Sequence, residues 1–323
     1  MPVDGRIDVH HHIVPPGYRR ALADAGLVDP IPGVDYPDWS VEQTLAMMDR
    51  RGIATAIVSI TEPGITFGGP ERARELARAV NEFMAALMHE HPGRFGAFAV
   101  LPLPDLDASV AELRHALDVL GLDGVGLMTH YQGIYLGDPT FEPLMAELAM
   151  RTTPTFVHPS APPARDQPSF GLPPSLYEFT FDTTRMVANL LYGGTLERYP
   201  GLALILSHAG GTLPMLAHRL TYGPTIGAHL AARAPRDLIG TLRRLRYDTA
   251  MSASAPALAA LTALVEPSQI LFGTDFPFMP ESTTVETIGG LASFAGFGES
   301  DRDAIDRGNA LGLFPRLRDA ALT

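Results

Sequence analysis

No cysteine occurs among the 323 residues, which excludes disulfides, thiolate nucleophiles and Cys-ligated metal sites. Long apolar runs are missing too: nowhere do about eighteen apolar residues follow one another, so no membrane span is expected. The segment Met1-Pro-Val-Asp-Gly-Arg-Ile-Asp-Val-His10 lacks the apolar stretch of a signal-peptide core. Positive charge is scarce. Lys and Arg total 24 against 36 Asp and Glu, a formal net charge of -12, which argues against nucleic acid or an anionic membrane as the main partner. Without cysteine or an export signal, the expected location is cytoplasmic. No convincing Gly-x-Gly-x-x-Gly fingerprint follows a strand, so no dinucleotide cofactor is expected.

What is present describes a soluble globular chain. It is 46% hydrophobic and 19% charged, enough to bury a sizeable core as one large α/β barrel or two ordinary domains. Short apolar runs alternate with amphipathic segments of helix length from end to end, the rhythm of βα units around a parallel sheet. Eight strands are predicted, at Ile7–Val9, Ala56–Ile60, Phe95–Val100, Gly124–Met128, Thr155–Val157, Ala203–Ser207, Leu245–Asp248 and Ile270–Gly273. Each is brief and apolar, as strands covered on both faces should be.

The segments between them carry helix signals. Ser40 and Gln43 form a capping-box pattern before Thr44–Arg51, with Gly52 as the stop. Asp107 reads as the cap of Ala108–Leu120, and Pro70–His91 shows an apolar face at Leu76, Val80, Phe83, Leu87 and Met88. Pro139–Arg151, Thr183–Tyr192, Pro235–Arg244, Ala255–Val265 and Ser300–Leu311 complete the ring. Eight strands with intervening helices predict a single-domain TIM (β/α)8 barrel over 1–323. Two proline-rich insertions break the rhythm, Pro15–Asp38 after the first strand and Pro159–Pro174 after the fifth. Both leave the ends of strands where βα loops build active sites. Long loops there serve as lids more often than as plain surface connections.

The chemistry collects at the same barrel end. His10-His11-His12 closes the first strand, and because residues i and i+2 point the same way, His10 and His12 face one side while His11 faces the other. Asp8 is placed at the barrel base or on a backbone group. His158 follows the fifth strand, His208 follows the sixth and precedes Ala209-Gly210-Gly211, and Asp275 sits in the turn Phe272-Gly-Thr-Asp-Phe-Pro277 past the eighth. Alone, His158 reads as a core histidine and Asp275 as a turn cap. Together these stations make an open site for a divalent metal, and an open site implies catalysis, because a structural zinc closes its shell with protein ligands. His130 ends the fourth strand and is a candidate for the mouth. His89, His91 and His115 belong on solvated helix faces, with His218 and His229 structural or superficial.

These motifs resemble the amidohydrolase superfamily, in particular its amidohydrolase 2 branch of aminocarboxymuconate-semialdehyde decarboxylases. The resemblance runs through Ile7-Asp-Val-His-His-His12, Phe156-Val-His-Pro159, Ser207-His-Ala-Gly-Gly211 and Phe272–Pro277. The block Phe179-Thr-Phe-Asp-Thr-Thr-Arg185 is similar to the subset containing 6-methylsalicylate decarboxylases. The resemblance implies one divalent metal, zinc first and manganese second, held by His10, His12, His158 and Asp275, with His208 catalytic beside it and Asp275 sharing in catalysis. Binuclear relatives use a carboxylated lysine after strand four, where this chain has Met128-Thr129-His130, so one metal is expected. A homodimer is implied as well. Aminocarboxymuconate-semialdehyde decarboxylases proper carry a longer excursion after strand one with a substrate-binding arginine. Here Pro15–Asp38 is short and its arginines, Arg19 and Arg20, sit in an unlike context, so that substrate is not expected.

The implied activity is metal-dependent, non-oxidative decarboxylation of a small hydroxyaromatic acid of the salicylate type. Hydrolysis of a lactone, ester or amide is the alternative, since a metal here serves either as a Lewis acid or as a source of hydroxide. Phe170, Tyr177, Phe179 and Phe181 follow strand five, while Phe276, Phe278 and Met279 follow strand eight. They are candidate walls for a flat ring, chiefly Phe179 and Phe276, with Arg185 or Arg165 meeting a carboxylate bidentately.

Overall fold

A computed structural model describes residues 5–27, 31, 33–163 and 168–319. Eight parallel strands run in sequence order around a barrel, here β1 (Arg6–His12), β2 (Ile53–Ser59), β3 (Phe95–Ala99), β4 (Gly124–Met128), β5 (Pro154–His158), β6 (Ala203–Leu206), β7 (Arg246–Asp248) and β8 (Ile270–Leu271). The ring closes between its ends: Val9 N–H donates to Phe272 O at 3.0 Å, and His12 N–H to Phe276 O at 2.7 Å. All eight predicted strands are present, and the fold is the expected single barrel. A small antiparallel pair, His130–Tyr131 with Ile134–Tyr135, rises from the end of β4.

Two apolar layers hold it together. Helices pack outside the strands in one large buried cluster, while Ile7, Val9, Ile57, Phe98, Phe156, Ile205 and Leu271 fill the barrel itself. Phe98 and Phe156 stack in that interior with centroids 5.3 Å apart, and Phe314 meets Phe98 edge-on at 5.9 Å. The chain's last helical turns thus plug the barrel's N-terminal end, where Arg316 is clamped to Asp123 at 2.8 Å.

β1 departs from strict alternation in a way that matters for the site. Its pairing with β2 shifts register between Asp8 and His11. Ile7 and Val9 therefore face the interior at the base, and His10 and His12 also face it at the mouth, where His10 lies 4.9 Å from the Phe156 ring. A bulge re-aims side chains in this manner.

The helices differ from the expectation in several places. The helix read as Thr183–Tyr192 begins at Pro174, and Pro15–Asp38 contains a helix, Pro16–Asp24. Both start with proline in the first turn, where its missing N–H costs nothing. The cap of Leu106–Asp118 is Asp105, whose carboxylate accepts from Ala108 N–H at 3.2 Å, not Asp107. The segment Ser300–Leu311 resolves into Glu299–Asp303, a π-turn at Ala304–Gly308 and Asn309–Leu313, and the carbonyl of Ile305 within that turn accepts from Phe272 N–H instead. Helices Leu213–Leu220 and Glu281–Ser293 complete the ring and lie outside the predicted set.

Candidate metal centre and active site

One ligand atom from each of His10, His12, His158 and Asp275 falls within 4.8 Å of the others. His10 Nε2 and His12 Nε2 approach to 3.1 Å, and Asp275 Oδ1 lies 3.3 and 3.1 Å from them. His10 and His12 are fully buried, while His158, His208 and Asp275 keep 4%, 6% and 7% of their surface, which marks the side from which a small molecule reaches the group.

The surrounding bonds decide which nitrogen of each ring is free. His10 Nδ1 donates to Asp248 Oδ2 at 2.8 Å. His158 Nδ1 lies 2.8 Å from the carbonyl of Pro159, which can only accept, and 3.0 Å from Thr61 Oγ1. His12 Nδ1 contacts Ser59 Oγ at 3.1 Å. Each Nδ1 is occupied from behind, so the Nε2 lone pairs converge. Oriented imidazoles of this kind, backed by a carboxylate, a hydroxyl or a carbonyl, are the usual outer support of metal ligands.

The electrostatics point the same way. Burial, reinforced by neighbouring imidazoles, holds His158 well below its ordinary value, and burial lowers His12 too, against its bond to Asp275. Burial works against charge on Asp275, yet His10 and the bonds from His10, His12 and His208 keep it well below the usual carboxylate range. His10 is also opposed by burial, but Asp248 and Asp275 raise it to about 10. Two neutral imidazoles and an ionised carboxylate therefore surround a point that favours positive charge. This donor set fits a divalent metal, which would take the place of the proton on His10.

His208 stands beside this group. Its Nε2 is 3.5 Å from Asp275 Oδ2, and its Nδ1 is buried with no hydrogen-bond partner among the described residues. Both His208 (φ 53°) and Asp275 (φ 64°) hold left-handed backbone, strain of about 1–3 kcal/mol apiece that clusters at functional sites. Gly211, whose N–H donates to His208 O at 2.9 Å, also has positive φ, and a Cβ there would sit 2.1 Å from Thr180 O. Asp8 takes the backbone role expected of it, accepting from His10 N–H and Thr274 N–H at 3.1 Å each, and from Thr274 Oγ1 and His11 Nδ1.

Beside the metal group opens a cavity of about 960 Å³, lined by Glu62, Met128, His130, Ser160, Tyr177 and others. Its lining stops short of the four ligands, but adjoins them: Ser160 is two residues past His158, and Thr61, which bonds His158, precedes Glu62. Phe179 reaches the metal group, its ring 5.8 Å from His158. Phe276 instead packs on His11 at 5.3 Å, and Phe278 takes the place beside His12 at 5.5 Å. His130 lines the cavity with both nitrogens engaged, Nε2 donating to Ala161 O at 2.9 Å and Nδ1 accepting from Gly133 N–H at 3.4 Å. Arg185 turns to Glu178 and Asp182, at 3.4 and 3.6 Å, and is not among the lining residues. Arg165 lies outside the described residues.

Several participants had no local signal in sequence. Asp248 and Thr61 orient candidate ligands, Glu62 lines the cavity, and the fully buried Asp182 accepts from the hydroxyls of Thr129 and Tyr135. The chain also contains no lysine at all, its 24 basic residues being arginine, so a carboxylated lysine cannot bridge a second metal anywhere in it.

Fold and site together define a barrel of the amidohydrolase type with a candidate metal-binding group at its mouth. The chain matches the amidohydrolase family model over residues 7–316 and belongs to that family. It is 38% identical to the 6-methylsalicylic acid decarboxylase acuB of Aspergillus aculeatus, over 98% of this chain and 97% of that one. Identity to the gamma-resorcylate decarboxylase of Rhizobium sp. is 28%, over 84% and 85%. Among solved structures, the 2,6-dihydroxybenzoate decarboxylase from Rhizobium superposes with a TM-score of 0.79 at 26% identity, covering 96% of this chain and 98% of that one.

Proposed function

We propose that the protein is a metal-dependent, non-oxidative decarboxylase of a small hydroxyaromatic carboxylic acid. The observation that carries this is the convergence of three imidazoles and one ionised carboxylate at the mouth of a barrel whose full-length relatives are named as decarboxylases of such acids. His10, His12, His158 and Asp275 would hold one divalent ion, zinc or manganese, since a mixed imidazole and carboxylate set accepts either. When bound, that ion supplies Lewis-acid polarisation of the substrate's oxygens.

The chain's own residues do the rest. Phe179 and Phe278 flank the ligand imidazoles and hold the ring in place. His208 Nε2 passes a proton to Asp275 Oδ2, and Asp275 delivers it to the ring carbon bearing the carboxylate. The bond to the carboxyl carbon then breaks, its electron pair returns to the ring, and CO2 and the parent phenol leave. No electron acceptor is required. The sheltered position of His208, with 6% of its surface exposed, keeps bulk water from competing for that proton.

The chain is cysteine-free, which suits a reducing cytoplasm, and no helix of the described residues is long and apolar enough to cross a membrane. A homodimer is part of the reading. Leu176, Met215 and Ile226, on the helices Pro174–Tyr192, Leu213–Leu220 and Gly223–Ile226, are 60%, 76% and 73% exposed, apolar side chains of the kind a second copy would cover. Incubation of the metal-loaded protein with a panel of salicylate-type acids tests the activity: CO2 and phenol in equal amounts support it, whereas ester or lactone hydrolysis with no CO2 from any acid contradicts it.

A further inference from the structure

Glu62 stands at the end of β2, on the wall of the cavity. Its neighbour Thr61 bonds His158, and its Oε2 accepts from Ala161 N–H at 3.3 Å, three residues past that ligand. The carboxyl therefore sits where the part of a substrate facing away from the metal must lie. The cavity's other acidic residue, Glu178, is matched by Arg185. Glu62 has no such match: the groups acting on it are Ser160, Ala161 and Asp182, and no arginine lines the cavity among the described residues. Burial, helped by Asp182 and opposed by the bonds from Ser160 and Ala161, pushes its carboxyl up to about 7. Among the described residues, the cavity lining offers no arginine to a further negative charge.

We propose that Glu62 is a charge filter that restricts the site to acids with one carboxylate. The inference rests on the decarboxylase reading, in which that carboxylate is turned to the metal group. A second carboxylate on the ring would project into the cavity, meet no arginine among its described lining residues and face the half-buried Glu62. A hydroxyl substituent can instead donate to the Glu62 carboxylate, and a methyl group meets Ile65, Met128 or Tyr131. Substituents are thus read by charge before shape.

The test compares binding, so that it does not depend on turnover. Affinities of salicylate and of its 3-, 4- and 5-carboxy derivatives are measured by calorimetry at about pH 8.5, where a carboxyl raised to about 7 is ionised, on the metal-loaded wild type, Glu62→Gln and Glu62→Asp. Glutamine keeps the acceptor for Ala161 N–H and loses the charge; aspartate keeps the charge. The wild type and Glu62→Asp should prefer salicylate, and Glu62→Gln should improve at least one dicarboxylate relative to salicylate by about tenfold or more, as like-charge contacts in a desolvated site are strongly unfavourable. A wild type that binds a dicarboxylate as well as salicylate overturns the filter, as does a folded Glu62→Gln with an unchanged ratio. CO2 release in the same samples reports separately on the decarboxylase reading. Failure of every protein to bind any acid overturns both.

Discussion

Asp248 accepts from His10 Nδ1 through one oxygen at 2.8 Å, and through the other from the backbone N–H groups of His208 at 3.0 Å and Ala250 at 2.9 Å. One carboxylate at the end of β7 thus orients a candidate ligand and the backbone of the candidate catalytic histidine. Asp248→Asn can no longer offer His10 a charged acceptor while its other side accepts from the His208 and Ala250 N–H groups, and the ring loses its fixed tautomer. Metal affinity should fall by about 10–100-fold, as for other outer-shell partners. Competition with a chelator measures this, and an unchanged affinity would show that His10 needs no such support.

His208 is assigned to proton transfer beside the metal group and not to ligation. His208→Asn should therefore retain about one metal per chain while CO2 release falls by about 10²–10⁴-fold, the usual range for losing a general acid or base. Elemental analysis alongside the rate assay separates the roles. Loss of the metal in this variant would make His208 a ligand.

Much of this site is legible in the sequence for a physical reason. His10, His12, His158, His208 and Asp275 each terminate or follow a short apolar strand, so finding the strands places them together at one end of the barrel. Asp248 is different. It ends the outlined strand Leu245–Asp248, but nothing local reveals a partner 238 residues away. Glu62 carries no periodicity to mark it, and its importance comes from the loops that surround it. The β1 bulge is equally invisible, since alternation from Ile7 and Val9 alone would turn His10 outward. Prolines misled the reading of the two insertions: Pro16 and Pro174 open helices, although their composition suggests loops throughout. Phe276 and Phe278 share a turn, and only the backbone there decides that the first meets His11 and the second His12.

The burial of Glu62 has a consequence for stability. A carboxyl raised from 4.5 to about 7 in the folded state holds its proton where the unfolded chain has lost it, so its favourable contribution is complete below about 4.5 and fades as pH rises through 7. Glu62→Gln mimics the neutral form. Its melting temperature relative to wild type should rise between pH 5 and pH 8, by an amount corresponding to about 1–3 kcal/mol. A difference that is flat across this window, or falls with pH, contradicts the buried placement of the carboxyl.

Asp8 is fully buried and receives four donors from His10, His11 and Thr274. Asp8→Ala leaves those donors unpaired where β1 meets the β8 loop. The cost should be about 3 kcal/mol or more. Denaturant unfolding of the metal-free protein checks it, so that any loss of ligand geometry does not enter. A change below about 1 kcal/mol, the worth of one ordinary hydrogen bond, would show that these bonds are replaced by solvent.

In the proposed reaction one metal, held by His10, His12, His158 and Asp275, drives decarboxylation of a hydroxyaromatic acid. The most direct measurement follows CO2 and phenol from a salicylate-type acid while the stripped protein is titrated with a divalent metal. Both products should appear in equal amounts and the rate should saturate at about one metal per chain, with no turnover in His10→Ala. Full activity in the stripped protein, saturation at two metals, or turnover of esters with no CO2 from any acid would contradict it.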